Sequence, residues 1–298
     1  MPIPGIVDKE LTTYDGERIA YQVRGEGPTV VLANGLGGNV LAWRDLYATL
    51  GERHRIITWD YRGLYRSPMP STPWKNLGPR EQARDLEPIL AAEKVDDFAI
   101  IGWSMGVQVA FEVYRSMPSR VRAIGAINGV AGTPFDTVFA LSFAKHVVPR
   151  LLQLMRKQHA LVAKVARRTA GWSGLLHFMQ RTGQVAPTLD PDIFAEIAPL
   201  FAGLDMDLYI ATMQALGKHD AWDVPPTVRV PTSVITGDKD ILTPVATARR
   251  LAASVPGARL VILPGGTHYT PVEYPVQVGE EILRLLDEAA HRSMSAVK

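Results

Sequence analysis

The chain has 298 residues, enough for one large α/β domain or for a core that carries an insertion. Hydrophobic residues make up 47% and charged residues 21%, the balance of a globular protein, and the formal net charge is +2. So even a charge, with no lysine–arginine run interleaved with aromatics, argues against a nucleic-acid partner. The lack of cysteine excludes disulfides, thiolate metal sites and a cysteine nucleophile.

The opening Met1-Pro2-Ile3-Pro4-Gly5 has no basic stretch followed by an apolar run. Nowhere does an apolar stretch approach the ~18 residues that span a bilayer, so a cytoplasmic protein is expected. Residues 10–25 (ELTTYDGERIAYQVRG) predict a hairpin that turns at Asp15-Gly16. Thr29 to Ala33 is a wholly apolar strand that runs into Asn34-Gly35-Leu36-Gly37-Gly38. His54 to Trp59 is a second such strand, a helix follows from Pro79 to Lys94, and Phe98 to Trp103 is a third strand. Met105 to Met117 has helical spacing and stops at Pro118, and Val121 to Ile127 is a fourth strand. Continuous apolar strands separated by helices predict a parallel sheet covered on both faces.

Strand signals then vanish. From about Thr133 to Pro226 the pattern is helical, with Pro149 expected to break or kink the first helix. The earlier rhythm returns in a strand at Thr232–Thr236, a helix at Pro244–Ser254, a strand at Ala258–Leu263 and a closing helix at Glu273–Ala290. The simplest organisation is one core (residues 1–132 and 227–298) interrupted by a helical insertion (133–226).

Gly102-Trp103-Ser104-Met105-Gly106 is a G-x-S-x-G set between a strand and a helix. That context needs a serine on a tight, strained turn, with glycines on either side for close packing. Gly171-Trp172-Ser173-Gly174 lacks the second glycine at the required spacing and lies in helical surroundings. Serine attacks only when a base takes its proton and a third group orients that base. Gly237-Asp238-Lys239-Asp240 and Gly265-Gly266-Thr267-His268 each follow a strand directly. With Ser104 they stand at the carboxyl edge of the sheet, where open α/β sheets bind ligands. The other six histidines read as structural or exposed. Gly35-Leu36-Gly37-Gly38 lacks the spacing of a phosphate loop, and no motif points to a metal or a cofactor.

Taken together, these segments resemble the α/β-hydrolase superfamily, in its esterase, lipase and C–C hydrolase branch with a helical cap. The likeness runs from the Asp15-Gly16 hairpin to the last helix, through Asp60-Tyr61-Arg62-Gly63 to Ser67, Thr243-Pro244 and Gly266-Thr267-His268. The resemblance implies Ser104 as nucleophile, His268 as base and Asp240 as acid, with Asp238 as the alternative acid. Some members carry the acid after the strand that here ends at Ile127, but Asn128 stands there. A serine at the nucleophile position also separates the chain from haloalkane dehalogenases and epoxide hydrolases, which use aspartate. The resemblance further implies an oxyanion hole from the N–H groups of Leu36 and Met105, although Asn34 departs from the usual His-Gly start of that loop. Trp103 and Asn34 are expected beside the substrate.

The insertion is unusual in charge. Between Thr137 and Leu189 there is no Asp or Glu, while Lys145, Arg150, Arg156, Lys157, Lys164, Arg167, Arg168 and Arg181 are basic among apolar residues. It reads as a cap with a basic outer face, and the same composition fits weak association with anionic lipid or attraction of acidic substrates. The expected activity is hydrolysis of a small hydrophobic ester through an acyl-enzyme. C–C, lactone and amide cleavage, perhydrolysis and a non-catalytic binding module are the alternatives. The sequence leaves the oligomeric state open.

Overall fold

A computed structural model describes residues 3–72, 74–136 and 144–296. The predicted hairpin is β1 (Val7–Thr12) and β2 (Arg18–Arg24), paired antiparallel about Asp15-Gly16. Four parallel strands and the three helices that join them follow, all but the first helix at expected segments. They comprise β3 (Thr29–Ala33), α1 (Arg44–Leu50), β4 (Arg55–Trp59), α2 (Pro79–Ala92), β5 (Phe98–Trp103), α3 (Met105–Ser116) and β6 (Val121–Ile127). After the helices described below come β7 (Thr232–Gly237), α9 (Val245–Ser254), β8 (Arg259–Leu263), the single turn α10 (Thr270–Glu273) and α11 (Pro275–Ala296).

The eight strands form one sheet in the order β1-β2-β4-β3-β5-β6-β7-β8. All neighbouring pairs from β4 to β8 are parallel. Because β3 is followed outward by β4 on one side and β5 is followed by β6 on the other, the chain changes direction between β3 and β5. A crevice opens at the carboxyl ends of such a strand pair. The alternation of β3 shows how the layers are held. Val31 and Ala33 face a cluster with Leu86, Ile89, Phe111 and Leu251 from α2, α3 and α9. Val30 and Leu32 face Leu46, Tyr47, Ile282 and Leu285 from α1 and α11. Each strand thus buries both faces, which is why its sequence is apolar without alternation.

Between β6 and β7 the described residues contain no strand. They form α4 (Ala144–Lys157), α5 (His159–Ala170), α6 (Leu175–Arg181), α7 (Pro191–Ala202) and α8 (Met206–Leu216). Pro149 does not break the helix: α4 continues through that residue, which costs it one helical hydrogen bond. No helix among the described residues is long and apolar enough to cross a membrane.

Candidate active site

The pentapeptide forms the turn between β5 and α3. Ser104 has φ 54 and ψ −116, a conformation that costs a non-glycine residue roughly 1–3 kcal/mol. The turn is tight enough to dictate its neighbours. A Cβ at Gly102 would stand 2.2 Å from the Gly106 carbonyl oxygen, and one at Gly106 would stand 2.0 Å from that of Ala33. The Ser104 N–H donates to the Ile127 carbonyl at 2.9 Å, so β6 fixes the turn from its other side.

The two later strands bring the partners. Ser104 Oγ lies 2.8 Å from His268 Nε2, and His268 Nδ1 lies 2.9 Å from Asp240 Oδ2. Ser104 is partly open to solvent, whereas His268 and Asp240 are buried. Asp238 points elsewhere: its Oδ1 accepts from the Gly265 N–H at 2.8 Å. Of the two candidate acids, only Asp240 reaches the histidine.

Asp240 is held by five donors. Its Oδ1 accepts the N–H groups of Leu242 and Thr243, each at 2.8 Å. Its Oδ2 accepts Thr243 Oγ1 at 2.6 Å and Asn128 Nδ2 at 2.8 Å, besides the histidine. Burial alone would raise its pKa. The charge and hydrogen bond of His268, with the Thr243 hydrogen bonds, outweigh burial and hold the carboxyl below its ordinary value. The histidine is anchored too, since Trp103 Nε1 donates to its backbone carbonyl at 2.8 Å. Tyr269 packs edge-on against both the Trp103 and His268 rings, with centroids 5.9 Å away in each case.

Several contributors were not singled out from sequence. Asn128 was noted only as the place of a missing acid, yet its Nδ2 ties Asp240 to the Thr267 carbonyl while its Oδ1 accepts from Thr270 Oγ1. Its φ of 45 is one that asparagine tolerates, so a lone Asn directly after a buried strand was a readable signal. Glu273 gave no such signal. Its buried carboxylate accepts the Thr267 N–H and Oγ1 at 2.8 and 2.6 Å and the Ala186 N–H at 2.8 Å, which binds the histidine loop to the segment after α6.

The loop after β3 lies beside the serine: a Cβ at Gly35 would be 3.3 Å from Ser104 Cβ. Leu36 follows directly, and the Met105 N–H is at the start of α3, where helical amides have no partner within the helix. Asn34, expected beside the substrate, does not line the cavity next to this loop. Its side chain is fully buried, donating to the Trp59 carbonyl and accepting from Trp43 Nε1, both at 2.7 Å. It ties the ends of β3 and β4 to the helical turn at Val40–Trp43.

Trp103, by contrast, serves as both core and wall. With Leu36 and Tyr269 it opens a cavity of about 370 Å³, within the usual range of small-molecule sites. The remaining wall comes mainly from the β6–β7 helices, including Ala166 and Ala170 of α5, Met179 of α6, and Ile193, Phe194 and Phe201 of α7. The lining is almost wholly apolar, with Thr169 and the partly buried Tyr209 among its few hydroxyls.

A family model for the alpha/beta hydrolase fold matches residues 28–275. The chain belongs to the α/β-hydrolase fold family. Among its relatives is a putative carbamate hydrolase, RutD, of Azorhizobium caulinodans, 26% identical over 273 residues that cover 90% of this chain and 94% of the relative. The fold is also that of the enol-lactonase from Burkholderia xenovorans LB400, with a TM-score of 0.75 at 22% identity, covering 94% of this chain and 100% of the other. It is equally that of an esterase from Exiguobacterium antarcticum, with a TM-score of 0.77 at 21% identity and coverage of 94% and 100%. Hydrolysis is the reaction class that this α/β-hydrolase membership supports.

Proposed function

We propose that the protein is a cofactor-free serine hydrolase that cleaves a carboxylic ester with a hydrophobic portion through an acyl-enzyme. The observation that carries this reading is the unbroken hydrogen-bond relay from Ser104 through His268 to Asp240 at a strained turn. Ser104 Oγ attacks the ester carbonyl as His268 Nε2 takes its proton. Asp240 holds the opposite N–H, which fixes the imidazole tautomer and stabilises its charged form. The developing oxyanion accepts the N–H groups of Leu36 and Met105, donors worth roughly 3–4 kcal/mol each in comparable sites. His268 then protonates the departing alcohol, and later takes a proton from the water that releases the acid and restores Ser104. In this scheme the helices between residues 133 and 226 act as the cap, because they supply most of the cavity wall. That apolar wall favours an alkyl or aryl portion over a small polar one.

A fluorophosphonate probe tests the centre. Labelling of the native protein and none of Ser104→Ala is expected, and labelling that persists in the variant would sink the assignment. No labelling of either protein would favour a non-catalytic binding module. The substrate class is read from a chain-length series of p-nitrophenyl esters set beside lactones and carbamates. Turnover is expected to rise from acetate toward medium-chain esters, and a preference for a carbamate or lactone at every chain length would replace the ester reading.

A further inference from the structure

Two of the β6–β7 helices, α4 and α5, carry large apolar side chains on their outer sides. On α4, Val147, Leu151 and Leu154 recur at helical spacing and are 48%, 50% and 59% exposed; on α5, Leu161 and Val165 are 57% and 53% exposed. The inward side of α5 instead carries the small residues Ala166, Thr169 and Ala170, which wall the cavity. Trp172 and Phe178 continue the outer surface, half-exposed and with ring centroids 6.0 Å apart. Half of the large exposed hydrophobics among the described residues fall within positions 147–178. A helix that only shielded the cavity would bury these side chains and expose its polar ones.

The charges on this surface share one sign. Arg150, Lys157, Lys164, Arg167, Arg168 and Arg181 are exposed, and none makes an ion pair among the described residues. Arg156 differs, being held by Asp207 at 2.7 Å and lying over the Trp74 ring. Arg150 is adjacent on the helix surface to Val147 and Leu154, and Lys164 and Arg168 to Leu161 and Val165. Unpaired cations thus stand on the apolar face itself, placed to reach lipid headgroups while the Leu and Val side chains and the Trp172 ring enter the acyl boundary. Since α4 and α5 both pack on α8, their outward sides belong to one surface.

We propose that the outer face of α4, α5 and the α5–α6 turn docks this protein onto anionic phospholipid bilayers. One helix thickness separates that face from the cavity, so a membrane-dissolved ester has a short path to the centre; this last consequence, unlike the docking, rests on the ester-hydrolase reading.

Co-sedimentation tests the docking without reference to turnover. Native protein and Ser104→Ala are mixed with vesicles of phosphatidylcholine alone, or of phosphatidylcholine containing phosphatidylglycerol, at low and at physiological salt. Both proteins are expected to pellet with the anionic vesicles only, and less so as salt rises. Lys164→Gln/Arg167→Gln/Arg168→Gln should lower the partition coefficient about a hundredfold, at roughly fivefold per cation. Leu154→Ser/Leu161→Ser should lower it as well, with thermal unfolding of both variants unchanged. Equal binding to neutral and anionic vesicles, or binding that neither variant weakens, overturns the proposal. So does a concentration-dependent dimer in light scattering that Leu154→Ser/Leu161→Ser dissolves while the vesicles pellet no protein. Vesicle binding without ester turnover would leave the docking intact and remove the hydrolase reading, and the reverse pattern would do the opposite.

Discussion

The loops at the carboxyl edge of the sheet and the first three β6–β7 helices follow opposite building rules. In α3, which starts at Met105, ten residues are buried; α5 and α6 have none. Around Asp240 every carboxylate lone pair meets a donor, while the cations of α5 meet no acid among the described residues. Dense packing and saturated hydrogen bonding hold atoms to within tenths of an ångström, as proton transfer requires. Sparse burial leaves the helical side among the low-stability parts of a fold, where substrate entry and surface contact are affordable. On the proposed hydrolase reading this is a division of labour: the sheet edge sets the chemistry and the helices set what reaches it.

The largest effect should come from cutting the rigid side at its centre. Asp240→Asn places an amide against donors from Asn128, Thr243 and His268, so kcat should fall roughly 10⁴-fold while KM changes little. A loss under tenfold in a steady-state assay would break the comparison. Gly102→Ala comes next, because its Cβ would meet backbone at 2.2 Å; a destabilisation above about 4 kcal/mol, or insoluble protein, is expected in denaturant unfolding.

Glu273→Gln tests the bolt between the two regions. Removing a charged acceptor of three hydrogen bonds should destabilise by about 1–3 kcal/mol and lower kcat through the Thr267–His268 loop. The pH dependence distinguishes the two carboxylates. Burial raises the Glu273 pKa, so its contribution is full below the ordinary range of about 4 and is lost as pH rises through the folded value. Asp240 is depressed, so its contribution is present above about 4 and is lost as pH falls through its lowered value. Unfolding midpoints taken against pH should therefore lose their acid-side slope in Asp240→Asn and their upper slope in Glu273→Gln.

On the helical side the effects should shrink and change kind. Ala170→Phe fills the cavity from α5 and should cut kcat/KM for long-chain esters about tenfold while leaving acetate nearly untouched. An equal loss on both would mean that the cavity does not receive the acyl or alcohol chain. Smallest of all, Leu161→Ser on the outer face should shift stability by less than about 0.5 kcal/mol in chemical denaturation. A larger loss would mean that this face is packed after all.

The sequence was legible where one residue type answers one backbone demand. The apolar strands were readable because both of their faces are covered, and Ser104, Asp240 and His268 because each lies within five residues of the end of such a strand. At Asn34 the same amide would serve as a pocket wall or as a buried clasp, and only its bonds to Trp43 and Trp59 show the clasp. Glu273 stayed hidden because its three partner atoms come from two separate segments, 6 and 87 residues away.

The strand order also bears on synthesis. β6 pairs with β5 on one side, but its other partner, β7, begins only at Thr232, roughly a hundred residues later. At typical elongation rates, about 5–20 seconds pass on the ribosome with Val121–Ile127 as an uncovered apolar edge, and His268 emerges later still, 164 residues after Ser104. The nascent chain is therefore prone to sticking until β7 has been made, so its yield in cells should depend on chaperones that shelter that edge.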